Sequence, residues 1–169
     1  MAFTPKVWVN SPDTGTPISA AALIDMEERV TDYSESVAAA GVELGYASIT
    51  SDATRNSTSF ADVAGLSTTV TVGSRPIEVN FSCGSSLNNA ANAGVAVKIL
   101  EDGSAVGGLQ TFFTVASIST PLNRILRLSP SAGSHTYKVQ LATVFSGTAT
   151  VKADSAATYG PAALSVVEV

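Results

Sequence analysis

One histidine, one cysteine and fourteen carboxylates are all that this 169-residue chain offers for acid–base, nucleophilic or metal chemistry. A Ser-His-Asp triad would have to recruit His135. That residue sits in Gly133-Ser134-His135-Thr136, at the entrance to a strand pattern, and the chain holds no nucleophile elbow. His135 is therefore expected to be a turn or surface residue. Cys83 ends the alternating run Ile77-Glu78-Val79-Asn80-Phe81-Ser82-Cys83 and is expected in the core; a single cysteine also excludes an internal disulfide and a cysteine-rich zinc site. The densest carboxylate pair outside the predicted helix is Glu101-Asp102, which precedes Gly103 and marks a hairpin tip. Two opposed carboxylates in a cleft would support a carbohydrate-active enzyme, but Asp25, Glu27, Glu28, Asp32, Glu35 and Glu43 all lie on or near the helix, which leaves few. Asn56-Ser57-Thr58 matches a glycosylation sequon, a pattern that chance supplies readily. No phosphate loop or dinucleotide fingerprint occurs. The expectation is a protein that is not an enzyme and uses no metal and no cofactor.

Composition points the same way. The chain is 45% hydrophobic and only 14% charged, well under the usual quarter, with a mean hydropathy of +0.28. Its apolar runs are short and broken by Ser, Thr and Gly, so none approaches the ~18–20 residues that a bilayer needs. Low charge without a membrane segment suggests surface buried between subunits. Net charge is −5, and the nine Lys and Arg are scattered, which argues against nucleic-acid binding. Met1 to Trp8 lacks the basic and apolar regions of a secretory signal.

Three elements must position these residues: an extended arm over 1–16, a coiled-coil helix over 17–44 and a β-sandwich over 45–169. In the arm, Lys6-Val7-Trp8-Val9 alternates like a strand and Asn10 to Gly15 is turn chemistry. Trp8, the only tryptophan, sits in a segment too short for a core of its own, so Val7, Trp8 and Val9 are expected to dock on another surface. Thr16 or Ser19 can cap the helix, with Pro17 in its first turn and Gly41 as its stop. Leu23, Met26, Val30, Tyr33, Val37, Ala40 and Leu44 recur at alternating spacings of three and four. That is an a/d seam, normally buried against copies of itself. The same stripe would also suit an amphipathic helix lying on its own β-domain. Flanking positions Glu27, Arg29, Ser34 and Ser36 give no clear interchain charge pairing, so the helix alone leaves stoichiometry open.

From Tyr46 the period switches to two. Leu66 to Val72, Ile77 to Cys83 and Val95 to Leu100 alternate or run apolar, Gly84 to Gly94 reads as a loop, and the Asp102-Gly103 step predicts a hairpin. Further strands are expected over 109–118, 122–128, 137–141, 147–152 and 164–169. Eight to ten short strands with regular turns predict an antiparallel sandwich, jelly-roll or immunoglobulin-like.

Lys6-Val7-Trp8-Val9-Asn10, Gly15-Thr16-Pro17-Ile18-Ser19-Ala20 and Leu23-Ile24-Asp25-Met26-Glu27 together resemble the start of many tailed-phage virion proteins: tail fibres, minor tail proteins, head fibres and capsid decorations. Gly73-Ser74-Arg75-Pro76 and Gly133 to Val139 resemble stretches of their β-domains. The resemblance implies a homotrimer located in the virion after synthesis in the host cytoplasm. In it the arm attaches to a major capsid or tail protein, the helices form a stalk and three sandwiches form a knob. A capsid-decorating or head-fibre spike is the first expectation. A tail-fibre protein that recognises host-surface carbohydrate is the alternative; exposed loop aromatics would favour it, and 84–94 has none.

Overall fold

A computed structural model describes residues 20–39, 41–156 and 158–169. The expected arm, with Val7, Trp8 and Val9, lies outside them. The chain divides into two units, 1–38 and 39–169.

Within the first unit, α1 begins at Ala20 and its run continues to Ala39. Its Ala, Leu, Met, Glu and Arg content favours helix, and at ~1.5 Å per residue it is about 30 Å long. Gly41 follows with φ +80 and donates its N–H to the Glu168 carbonyl at 2.7 Å. A left-handed residue at this place ends a helix, and glycine adopts it without a side-chain clash. Leu44, expected as the last seam residue, therefore belongs to strand β1 and packs against the core. Heptad spacing carried past Gly41, the expected stop, added to the seam a residue that lies beyond the helix.

The described residues of the second unit form ten strands: β1 (Glu43–Ile49), β2 (Ala53–Arg55), β3 (Ala61–Val72), β4 (Ile77–Asn88), β5 (Ala93–Glu101), β6 (Ser104–Phe113), β7 (Thr120–Leu128), β8 (Gly133–Val144), β9 (Ala149–Lys152) and β10 (Ala162–Glu168). They form two antiparallel sheets. One holds β1, β10, β4, β9 and β2 in that order, with β7 also on β4; the other runs β3-β8-β5-β6. The fold is mainly β and sandwich-like, as composition and period predicted.

The pairing is nested. β5 pairs with β6 across the Asp102-Gly103 turn, β4 with β7, β3 with β8, and β1 with β10. Asp102 at φ 49 and Gly103 at φ 86 are both left-handed, the conformation that two-residue hairpin turns demand.

Alternation decides which side chains fill the space between the sheets. Ile77, Val79, Phe81 and Cys83 all point inward from β4 and are at most 4% exposed. Val95, Val97 and Ile99 from β5 and Tyr137, Val139 and Leu141 from β8 meet them from the other sheet. Burying one such aliphatic chain contributes ~1.5–3 kcal/mol.

Gly84 to Asn88, expected as loop, continues β4 instead. A bulge between Cys83 and Ser86 lets β4 hold β7 on one edge while β9 takes over from β10 on the other. Two polar residues of this stretch find side-chain partners inside the protein: the Ser86 hydroxyl donates to the Thr120 carbonyl at 2.9 Å and the Asn88 amide to the Gly94 carbonyl at 2.8 Å. The buried Ser85 hydroxyl has none among the described residues.

Candidate functional site

Of the expected seam, Leu23 is partly exposed, Met26 is 56% exposed and Val30 66%, with Ile24 beside them at 52%. Tyr33 and Val37 fall within α1, but their side chains, like Ala40, lie outside the described residues. The three described positions present an apolar stripe to solvent. Among the described residues no helix is long and apolar enough to cross a membrane, and no cluster of His, Cys, Asp or Glu is arranged to hold a metal ion.

A groove of about 520 Å³ runs beside β1, β2 and β3 and holds two carboxylates, Asp52 and Asp62. Burial pushes Asp52 up, but the Lys152 ammonium and the Ala153 N–H outweigh it and hold the carboxyl below its usual range. Asp62 is likewise held down, by Lys138 at 2.6 Å and then by Gln140 at 2.7 Å. Glycoside hydrolysis needs one carboxyl held protonated by a raised pKa. Both groups here are shifted the other way.

The strands end in two poles, separated by the twelve residues of β8, roughly 35–40 Å of strand. At one pole lie the β5–β6 turn, the loop before β8 and Gly41. Here Glu101-Asp102 and His135, distant in sequence, come together. His135 Nδ1 faces the Asp102 carboxylate at 2.8 Å and Glu101 at 3.2 Å, while Nε2 faces the Ser131 carbonyl at 2.9 Å. The Thr136 N–H donates to the other Asp102 oxygen at 2.8 Å, and the Tyr137 hydroxyl donates to Glu101 at 2.7 Å.

Both imidazole nitrogens thus face oxygens that only accept, an arrangement that the doubly protonated ring satisfies fully. The Ser131 carbonyl, then the Asp102 and Glu101 charges, raise His135 above its ordinary value. The Thr136 N–H, then His135, lower Asp102. Burial and Glu101 push Tyr137 up. With each nitrogen engaged, neither is left to take a proton from a nucleophile. His135, expected as a turn or surface residue, lies near the start of β8, and its side chain is 13% exposed.

At the opposite pole lie the segments 56–60, 89–92, 114–119 and 145–148. Asn88, fully buried, is their hub. Its amide nitrogen donates to the Gly94 carbonyl and the Thr143 hydroxyl, each at 2.8 Å, and to the Ser146 carbonyl at 3.1 Å; its oxygen accepts from the Ala90 N–H. The Asn88 carbonyl takes the Ser117 N–H at 2.7 Å, Asn89 is tied to Thr148, and the Thr143 N–H donates to Ser57.

On this frame stand Phe112 and Phe145, ring centroids 5.9 Å apart and planes at 89°. They meet over Gly94, which lies between Phe112 and Val144 in the sheet. A Cβ at Gly94 would come within 2.2 Å of the Thr111 carbonyl oxygen. Phe112 stays 49% exposed and Phe145 73%; Val115 and Ile118, in a loop of the same pole, are 56% and 49% exposed. Phe145 has φ +67, an outlier for a bulky side chain that costs ~1–2 kcal/mol. Sequence reasoning missed this pole. Its one local signal is a phenylalanine set directly before the Ser146-Gly147 turn.

No family profile matches the chain, and no curated protein does. Among solved structures, dimeric latent PorU from Porphyromonas gingivalis matches over 76% of this chain, at 11% identity and a TM-score of 0.33. The aligned region spans 13% of the PorU chain. A likeness at that score carries no argument about function.

Proposed function

We propose that this chain is a non-enzymatic virion structural protein, a homotrimeric spike that decorates a capsid or stands as a head fibre. The observation that carries the reading is the solvent-facing stripe of Leu23, Met26 and Val30 on a helix of 20 residues. Helical stability in proteins comes mainly from packing an amphipathic face, and sister helices supply the partner face that this spacing fits. The nested pairing of eight long strands supports a jelly roll, an architecture of viral capsid and lectin domains. Three-fold closure follows from the resemblance to phage virion proteins. It makes attachment through Val7, Trp8 and Val9 multivalent, because the second and third arms bind at high effective concentration.

Light scattering on the full chain tests the reading. A mass three times 17.2 kDa at micromolar concentration is expected, and Met26→Glu with Val30→Glu should yield single chains whose sandwich still melts cooperatively. Wild-type protein running as a monomer overturns the spike. Replacing Trp8 with Ala should lower occupancy on particles; unchanged occupancy overturns attachment through the arm.

A second reading, a tail-fibre protein that recognises host-surface carbohydrate, is favoured by one observation. The rings of Phe112 and Phe145 stand in solvent at the pole of the sandwich opposite Gly41.

A further inference from the structure

We propose that the Phe112–Phe145 pole binds a neutral carbohydrate chain, with the two rings as a stacking platform and nearby amides and hydroxyls as its hydrogen-bonding rim. The inference rests on the carbohydrate-recognition reading and gives it a site and a ligand class.

The chemistry of the pole selects the ligand. The segments 56–60, 89–92, 114–119 and 145–148 contain no Asp, Glu, Lys, Arg or His. The two cations that reach the first of them are turned to its own groups: Arg55 donates to the Ser59 carbonyl at 3.1 Å, and the Lys98 ammonium lies 4.0 Å over the Phe60 ring. A phosphate, sulfate or sialic acid would need a cation at the rings of Phe112 and Phe145, and a nucleic acid would need several. What the pole does offer is aromatic carbon beside exposed Asn56, Thr58, Asn92, Thr114, Ser117 and Ser146. A neutral sugar has the complementary composition: C–H faces that lie on an aromatic ring, edged by hydroxyls that pair with amides and alcohols. The exposed ring pair is also a small surface. A stable protein partner buries about 800 Å² on each side, whereas one to three sugar rings match this footprint.

Preorganisation is the second argument. An exposed aromatic patch on a soluble domain marks an interaction site or a liability. Phe145 is held at φ +67 with most of its ring in water, and its loop is fixed from below by Asn88 and Thr143, both bonded to the Ser146 carbonyl. Unfavourable backbone geometry persists where the surroundings over-determine it, and it gathers at functional sites. Platforms fixed before the ligand arrives lose less entropy on binding.

The test uses the full chain on an array that carries neutral hexose and N-acetylhexosamine oligosaccharides beside sialylated and sulfated ones. Calorimetry with the best neutral oligosaccharide follows. Binding to neutral probes is expected, with Phe112→Ala and Phe145→Ala each weakening it by about tenfold or more, the size expected of an aromatic anchor. Phe145→Tyr, which keeps the ring, should retain affinity, as should Tyr46→Ala on the outer face of the other sheet. Thermal melts establish that each variant is folded. Neutral binding that survives loss of both rings overturns the site. Binding confined to anionic glycans overturns it too, while leaving carbohydrate recognition standing. Failure to bind any oligosaccharide overturns both.

Discussion

At the Asp102 pole, closure of the loops rests on charge: His135 is clamped between a carboxylate and a carbonyl, and Tyr137 reaches the neighbouring Glu101. At the Phe145 pole it rests on neutral amide and hydroxyl groups centred on Asn88, with hydrophobic rings left outside. The first arrangement places its titratable groups where they satisfy one another. The second satisfies its polar groups below the surface and leaves the apolar ones without cover. A fold closed for stability alone would put the phenylalanines inside, as it does Phe81 and Phe113. The difference separates a pole built to hold the sandwich together from one with surface to spare for recognition.

The sharpest way to break that contrast is at the hub. Asn88→Ala removes two N–H donors shared among three acceptors, and one accepted bond, in a buried site. Unpaired buried acceptors cost ~1–3 kcal/mol each, so urea denaturation should show a loss of about 3 kcal/mol or more, even with partial relaxation. A loss below about 1 kcal/mol would mean that the Phe145 pole is held by something other than this amide. Next comes Gly94→Ala, whose new methyl meets backbone rather than a yielding side chain. Overpacking of this kind costs ~1–3 kcal/mol, and the same denaturation series measures it.

The charged pole should respond to pH where the neutral pole does not. His135 is raised from 6.5, so its contribution to stability is complete below that value and is lost as pH climbs through the higher folded value. Asp102 is lowered from 3.8, so its contribution is present above 3.8 and is lost as pH falls through the depressed folded value. The melting temperature should therefore decline as pH rises above 6.5, and His135→Gln should flatten that decline. Because His135 is the only histidine, its ring protons form one resolvable NMR titration. A midpoint at or below 6.5 would contradict the clamp.

Phe145→Asn has the smallest expected effect. It forfeits an aromatic pair worth ~0.5–1.5 kcal/mol and relieves a left-handed phenylalanine of similar cost. Stability should stay within about 0.5 kcal/mol of wild type, as surface substitutions generally do. A large loss would make the ring structural and erase the contrast between the poles.

Sequence made the period-2 face of Ile77, Val79, Phe81 and Cys83 legible, because alternation is a local property that burial then enforces. The Asp102-Gly103 turn was legible for the same kind of reason: two adjacent residues carry its backbone preference. Leu44 was misplaced because spacing alone carries no dihedral angle, and Gly41 turns the chain before the seam reaches it. Asn88 was read as loop because asparagine in water prefers turns. Its partner Thr143, 55 residues on, is what makes a buried strand position acceptable. The same distance problem hid the two rings, which are 33 positions apart and meet only after β5 and its glycine come between them.

The nested pairing implies an order of events in time. The β5–β6 contact closes over two residues, whereas β1 waits for a partner more than a hundred residues away, and distant contacts are the slow ones to form. Assembly should start as a local hairpin at Asp102-Gly103 and zip outward until β10 captures β1. In a chevron series, damage to the turn is then expected to slow refolding, while damage to the β1–β10 pair mainly hastens unfolding. The strand that continues directly from the helix would be the last to lock and the first to let go.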